Sequence, residues 1–236
     1  MAFISTPSHA VPVGLELALL IDVSGSVDDT EYALQKNGYI QAFQSAAVQN
    51  AILNSVGGAI AVTFIEWSGF AQQSQTVGWT LIDSAASANA FASAIAATAR
   101  IPNNLTAPGS ALNFAVPLFA GNGFEGAREV IDVSGDGPEN DGADTSDARD
   151  AALLAGIDTI NGLAIGDALL VAWYEANIEG GANSFVLGVD NFADFASAIE
   201  LKLVREVTGE VPEPGTLALL GAGLFGLAML RRRKAA

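Results

Sequence analysis

Residues 15–26 read LELALLIDVSGS, and this stretch decides the fold. Leu15 to Asp22 is almost entirely apolar, which is typical of a strand buried on both faces. The strand ends at Asp22 and runs into small polar residues that favour a turn. A near copy, IDVSGD, occupies residues 131–136. Two buried strands that end in the same way predict two sets of oxygen side chains at one edge of a sheet.

Strands and helices alternate along the rest of the body. Predicted strands cover 15–22, 59–67, 75–82, 129–133, 159–165 and 184–189, and predicted helices cover 28–53, 84–99, 110–119, 145–154, 168–175 and 191–206. This alternation implies crossover connections and an α/β, doubly wound fold. We expect a mainly parallel central sheet, one antiparallel edge strand at 75–82, and helices on both faces. A strand order of 3-2-1-4-5-6 would bring the first and fourth strands together, and ligands bind where such an order reverses.

Composition and charge exclude several classes of function. The 236 residues carry a net charge of −16, no cysteine and a single histidine, His9. Disulfides, thiol nucleophiles, Cys-ligated zinc and a Ser-His-Asp triad are therefore excluded. Four of the ten basic residues fall at 231–234, so residues 1–230 hold six basic and 26 acidic groups, a balance of −20. Such a body repels nucleic acid, and any bound metal must be a hard ion with oxygen ligands.

The segment Asp22-Val23-Ser24-Gly25-Ser26 is a DxSxS motif and resembles the von Willebrand factor type A family. The resemblance covers about 15–207 and implies a von Willebrand type A, Rossmann-like fold with a metal-ion-dependent adhesion site. Thr106, in the stretch 106–112, and Asp136, in Ser134-Gly135-Asp136-Gly137, match the remaining family positions. The implied metal ligands are Asp22, Ser24, Ser26, Thr106 and Asp136. The implied cofactor is Mg²⁺ (or Mn²⁺ or Ca²⁺), with a ligand carboxylate completing the coordination, and Mg²⁺ suits such an oxygen set.

Two ambiguities surround the second motif. Asp132 competes with Asp136 for the metal position; the Asp-Gly pair favours Asp136 and leaves Asp132 as a supporting structural acid. Residues 132–137 also imitate the start of an EF-hand loop, but Ala143 replaces the required Glu and a strand precedes the segment, so an EF-hand is rejected. A run of acids follows, at Glu139, Asp141, Asp144, Asp147 and Asp150. We interpret it as a solvated loop and helix N-terminus, with an additional calcium site as the alternative.

The C-terminal segment has a different character. Residues 216–230 are uncharged and lead directly into Arg231-Arg232-Arg233-Lys234. With Pro212-Glu213-Pro214 before them, these residues resemble the PEP-CTERM sorting signal, whose parts are Pro212, Glu213, Pro214, the apolar stretch, Arg231, Arg232 and Arg233. The resemblance implies a short hydrophobic helix that enters the membrane before processing, and an exosortase as processing enzyme. The GxGxxG match at 221–226 lacks the strand and acid of a dinucleotide site and is rejected.

The chain therefore divides into three predicted parts. Residues 1–14 are interpreted as the remnant of a leader, because Ser8-His9-Ala10 looks like the end of a signal peptide, and we expect the basic and apolar leader upstream. Residues 15–207 form the type A-like domain, and 208–236 form the sorting signal. We expect an exported cell-envelope or extracellular binding module, not an enzyme, that grips a protein or polymer through a divalent cation. The alternatives are a Mg²⁺-dependent phosphoester hydrolase and a chaperone-like assembly factor.

Overall fold

The computed structural model describes residues 10–209. All but the first two residues of the predicted sorting signal, including its hydrophobic helix, lie outside the described residues, as do His9 and most of the predicted leader. Among residues 10–209, no helix is long and apolar enough to cross a membrane.

Nine strands and seven α-helices build the described part. The strands are β1 (Val11–Val13), β2 (Leu15–Asp22), β3 (Ile60–Trp67), β4 (Gln73–Ile82), β5 (Phe124–Gly126), β6 (Glu129–Gly135), β7 (Thr159–Ile165), β8 (Gly180–Gly181) and β9 (Val186–Val189). The helices are α1 (Asp29–Gln44), α2 (Ala46–Leu53), α3 (Ala85–Ala97), α4 (Pro108–Ala115), α5 (Thr145–Leu154), α6 (Ala168–Asn177) and α7 (Phe195–Thr208).

Seven of these strands form the central sheet, in the order β4-β3-β2-β6-β7, with β8 and β9 both on the outer side of β7. Without the two-residue β8, this is the predicted order 3-2-1-4-5-6. β4 is antiparallel to β3, as expected for the edge strand, and the neighbours β2, β3, β6, β7 and β9 pair in parallel. The carboxyl ends of β2 and β6 therefore lie side by side, in register from Glu16↔Glu129 to Ile21↔Ser134.

Hydrophobic cores lie on both faces of the sheet. One face packs against α1, α2, α3 and α7, with Phe43, Phe91 and Phe195 among its buried rings. The other packs against α4, α5 and α6 around Leu112, Ile131 and Tyr174. All eight residues of β2 are buried. A strand covered on both sides explains the almost entirely apolar run that predicted it.

The structure corrects the sequence interpretation in three places. The predicted helix over 28–53 is two helices, because Ser45 has extended backbone and its hydroxyl caps α2 by accepting from Val48 N–H. β1 and β5 form a separate two-stranded sheet, so an ordered strand precedes the predicted domain start at residue 15. β8 adds a second, short antiparallel pairing, and its Gly-Gly sequence carries no strand signal.

Candidate metal centre

Asp22 occupies the end of β2 and is fully buried. Its Oδ1 accepts a 2.7 Å hydrogen bond from the N–H of Ser24, which closes the turn after the strand. Its Oδ2 is buried without a hydrogen-bond partner. Burial, helped by the nearby charge of Asp136, raises the pKa of Asp22 from 3.8 to about 7. A bound cation would stabilise a carboxylate in this position, because one of its oxygens is buried and makes no hydrogen bond.

The hydroxyls of Ser24 and Ser26 lie between the buried Asp22 and the protein surface. Ser24 is fully buried, and its Oγ lies 3.1 Å from the Oγ of the exposed Ser26. The Ser26 hydroxyl donates a 2.6 Å hydrogen bond to Oδ1 of Asp136, which follows β6. Burial also raises the pKa of Asp136. The structure thus brings together four of the five predicted ligands at the junction of β2 and β6.

Thr106 is the fifth predicted ligand and comes from the loop before α4. It is buried, and its N–H donates a 2.8 Å bond to the side-chain oxygen of Asn140, while its carbonyl accepts from the N–H of Asn140 at 3.0 Å. Thr106 and Asn140 line one open cleft of about 390 Å³ together with Ser26 and Asp136. We call this the site cleft. Asn140 was missed by the sequence reasoning, which treated its surroundings only as an acidic loop.

Gly135 explains how the two strand ends approach so closely. A Cβ on Gly135 would lie 2.7 Å from Oδ2 of Asp22 and 2.6 Å from the Tyr174 hydroxyl. Both distances are shorter than a real side chain allows, so the position requires glycine. The Tyr174 hydroxyl is itself buried without a hydrogen-bond partner, which places a second unpaired oxygen beside the site.

Arg100 binds the backbone of the DxSxS turn. The sequence did not indicate this role. Its Nη2 donates to the carbonyls of Val23, Ser24 and Val27 at 3.1, 3.3 and 2.6 Å. Its Nη1 forms an ion pair with Asp29 at 2.9 Å. Four acceptors around one guanidinium fix the loop that carries Ser24 and Ser26. No sequence motif marks such a role, because the arginine is more than 70 residues away along the chain.

Asp132 lies away from the metal candidates, which separates it from Asp136. Its Oδ1 is 2.6 Å from Nζ of the fully buried Lys202, and that ammonium is also 2.5 Å from Oε1 of Glu206. Burial and the neighbouring Glu206 raise the pKa of Asp132 above its ordinary value. Asp132 is thus one member of a buried ionic cluster under α7. The spacing of Lys202 and Glu206 on a predicted helix was the available signal for it.

Acidic residues at 139–150 make separate hydrogen bonds. Glu139 accepts from the N–H of Thr145, Asp141 accepts from the N–H of Phe70, and Asp144 caps α5 by accepting from the N–H of Asp147. Within residues 10–209, no three His, Cys, Asp or Glu side chains converge as a metal cluster. Glu139 and Asp141 lie in the loop before α5, Asp144 caps that helix, and Asp147 and Asp150 lie within it, so the run forms a loop and a helix N-terminus as interpreted.

The donor set at the site cleft fits a hard divalent cation. Its members are carboxylate and hydroxyl oxygens. Ser26, Thr106 and Asp136 line the cleft, and the buried Asp22 and Ser24 adjoin it, Ser24 through the contact of its hydroxyl with that of Ser26. One oxygen of Asp22 has no hydrogen-bond partner. Mg²⁺ and Mn²⁺ prefer such oxygen ligands and keep several waters, which the open cleft admits.

Fold and strand-end motifs together define a von Willebrand factor type A-like protein. The chain belongs to the family described as "Protein of unknown function (DUF1194)", whose model matches residues 12–211. The PEP-CTERM protein-sorting motif matches residues 210–234, which confirms the resemblance of the C-terminal segment. That motif indicates an exported protein associated with the cell envelope. No curated protein matches the sequence.

Solved structures share the fold at low sequence identity. Proximal thread matrix protein 1 from the mussel byssus has a TM-score of 0.64 and 17% identity over 86% of this chain and 50% of its own. Another structure of that mussel protein has a zinc-occupied adhesion-site motif, with a TM-score of 0.60, 17% identity and the same coverage. A von Willebrand factor type A protein from Catenulispora acidiphila has a TM-score of 0.56 and 14% identity, over 83% of this chain and 43% of its own. This chain therefore spans about half the length of the mussel protein.

Proposed function

We propose that this protein is an exported binding module that holds a divalent cation at the site cleft and uses it to grip a carboxylate of a protein or extracellular polymer. The observation that carries the proposal is the fully buried Asp22, with one unpartnered oxygen, connected through Ser24 and Ser26 to Asp136.

The neutral and the charged ligands would have different roles at the cation. The hydroxyls of Ser24, Ser26 and Thr106 are neutral donors that would bind the cation, while Asp22 and Asp136 would balance its charge and hold its waters. Neutral hydroxyls leave much of the cation's charge unbalanced, so the bound ion would attract an incoming carboxylate. The cation would also stabilise the fold, because it would compensate the buried, partly unpaired charge of Asp22.

The surroundings of the site favour binding over phosphoryl transfer. In the described part of the chain, neither Lys nor Arg lines the site cleft. The guanidinium of Arg100 is bound to the DxSxS turn, where its Nη2 donates to the carbonyls of Val23, Ser24 and Val27. Phosphoryl transfer needs cationic groups that stabilise the transferred group, so the geometry supports a non-enzymatic module.

The sorting motif supports the place of action and one processing partner. A motif at 210–234 directly follows the folded domain, whose last helix ends at Thr208. Processing by an exosortase near Pro212 to Pro214 would release the domain from the apolar stretch 216–230. The chaperone-like alternative lacks support, because an export motif does not suit an intracellular assembly factor.

Direct cation binding tests the proposal. Mn²⁺ titration followed by electron paramagnetic resonance, with Mg²⁺ as competitor, should give one site on the 236-residue chain. Asp136→Asn should weaken that site by about tenfold or more, since a hydrogen-bonded charge partner is typically worth about 1.5–3 kcal/mol. Asp144→Asn is the matched control, because Asn caps a helix as well as Asp does. Equal Mn²⁺ affinity in the chain and in Asp136→Asn contradicts the proposed site.

Two functional assays separate binding from catalysis. Retention on immobilised envelope proteins or polymers should require Mg²⁺ and be lost in EDTA. Hydrolysis of p-nitrophenyl phosphate should be no faster with the protein than without it. Metal-dependent hydrolysis that disappears in Asp22→Ala would decide for an enzyme.

A further inference from the structure

A second, largely apolar cleft adjoins the site cleft. Leu169, Leu170, Trp173 and Pro138 line it, together with Gly166 and the acidic residues Asp136 and Asp167. Its volume is about 420 Å³, within the range of pockets that hold small molecules or side chains, roughly 300–1,000 Å³. Asp136 and Pro138 line both clefts. A ligand group at the metal site is therefore directly beside an apolar surface, which we call the apolar cleft.

The edge of the sheet that carries the site also exposes large apolar side chains. Leu169 is 79% exposed, Phe70 is 64% exposed and Leu105 is 51% exposed. These three residues come from three separate segments, after β7, after β3 and before α4. Single exposed apolar residues need no explanation, but several around one polar centre are typical of an interaction surface.

Helix α6, which forms much of the apolar cleft, is held in place by its N-terminal cap and its packing. Asp167 caps α6, and its Oδ1 accepts from the N–H groups of Leu169 and Leu170 at 2.9 and 3.1 Å. Trp173 follows Leu169 by four residues, so both lie on one side of the helix. The Trp173 ring packs at a steep angle on the buried Tyr174, with centroids 5.6 Å apart. The cleft is thus formed before any ligand arrives, which lowers the entropy lost on binding.

We infer that the ligand is a polypeptide segment in which an acidic residue is followed closely by a large apolar residue. The acidic side chain meets the cation site, and the apolar side chain enters the cleft between Pro138 and Leu169; this inference rests on the proposed function. Charge favours a polypeptide over an acidic polymer, because residues 1–230 carry a balance of −20. A polyanion would be repelled along its whole length, whereas one carboxylate among neutral residues meets little repulsion away from the cation.

Fluorescence anisotropy with labelled peptides tests the inference on the 236-residue chain. The peptides share a Gly-Ser host with one Glu and differ two positions later, where they carry Leu, Phe or Ala. In Mg²⁺ the Leu and Phe peptides should bind about tenfold or more tightly than the Ala peptide, as expected for burial of one large apolar side chain. EDTA should abolish binding of all three.

Two exposed leucines provide the variant and its control. Leu169→Ser should remove the preference for Leu and Phe while the Mg²⁺-induced rise in melting temperature stays unchanged. Leu154→Ser, at a 90% exposed position on α5, should keep the full preference. Equal binding of the Leu and Ala peptides by a chain that still responds to Mg²⁺ overturns the inference alone. Absence of any Mg²⁺ response overturns the proposed function instead. Tighter binding of polygalacturonate than of any peptide also overturns the inference and favours a polymer ligand.

Discussion

Replacing Asp22 by Asn should stabilise the cation-free protein and remove most of the stabilisation that a bound cation gives. Asn keeps the shape of the side chain and the acceptor for the Ser24 N–H, now at 2.7 Å, but it carries no charge. Without a cation, the charged Asp22 destabilises the fold because it is fully buried and one oxygen is unpaired. When a cation is present, the same negative charge attracts it, and the bound cation stabilises the folded protein.

The size of the effect follows from the pKa of Asp22. A folded-state pKa raised from 3.8 to about 7 means that the folded protein holds this proton more tightly than the unfolded chain. The protonated side chain therefore contributes to the free energy of unfolding. That contribution is fully present below about pH 4 and is lost as the pH rises to about 7. At about 1.36 kcal/mol per pKa unit, the loss amounts to roughly 4 kcal/mol. The new Asn N–H groups, buried in the same place, cost about 1–3 kcal/mol. In EDTA at pH 8, Asp22→Asn should therefore unfold with a free energy about 1–3 kcal/mol higher than the unaltered chain.

Thermal unfolding followed by circular dichroism measures both effects. In EDTA the advantage of Asp22→Asn should grow between pH 4 and pH 7 and then level off. Saturating Mg²⁺, at about 100 times its dissociation constant, should stabilise the unaltered chain by about 2.7 kcal/mol and the variant hardly at all. Asp144→Asn should behave like the unaltered chain in every condition. An Mg²⁺ response of equal size in Asp22→Asn refutes the site, and a less stable Asp22→Asn in EDTA at pH 8 refutes the argument from buried charge.

Two further substitutions probe the supports of the site, and a third probes the buried ionic cluster under α7. Gly135→Ala places a Cβ 2.7 Å from Oδ2 of Asp22, so chemical denaturation should show a loss of about 1–3 kcal/mol from overpacking, and Mn²⁺ titration should show weaker binding. Arg100→Ala frees the turn that it holds at the Val23 and Val27 carbonyls; Mn²⁺ affinity should fall while urea unfolding still shows one cooperative transition. Lys202→Met removes the cation between two buried carboxylates and should cost about 3–5 kcal/mol in urea unfolding; a neutral effect would mean that the cluster is already protonated.

Local sequence predicted the parts of the molecule that local chemistry controls. The uniform apolar run of β2 predicted a strand buried on both faces, and the repeated strand endings predicted that β2 and β6 would meet at one edge. The predicted helix starts at residues 28 and 84 agree with the structure, because the side chains of Asp28 and Ser84 cap the first turns of α1 and α3. The burial of β2 and the helix caps depend on residues within a few positions of each other, whereas the meeting of β2 and β6 was expected from the repeated motif and the strand order.

Long-range packing accounts for what the sequence did not show. Arg100 reaches the DxSxS turn across more than 70 residues, and Asp132 finds Lys202 only because α7 folds over β6. The break at Ser45 also escaped prediction, since the residues on both sides of it favour a helix and the serine cap decides the boundary. Sequence spacing predicted that Asp136 would lie near the DxSxS turn, and it accepts a hydrogen bond from Ser26 there. Asp132 lies four residues earlier, inside β6, where it pairs with Lys202.

A buried polar network positions the candidate metal ligands on the sheet. The Gln35 amide donates to the Asp22 carbonyl at 2.9 Å, and its oxygen accepts from the Ser134 hydroxyl at 3.0 Å. The Tyr39 hydroxyl lies 3.2 Å from the same serine oxygen. Helix α1 thus bonds both strands that end at the site, one residue before Gly135 and at Asp22 itself. Because these groups are buried and mutually paired, shifting either strand end would leave polar atoms unsatisfied. The network therefore fixes the spacing between Asp22 and the start of the Asp136 loop before any cation binds, and the ion can use a preformed set of oxygens.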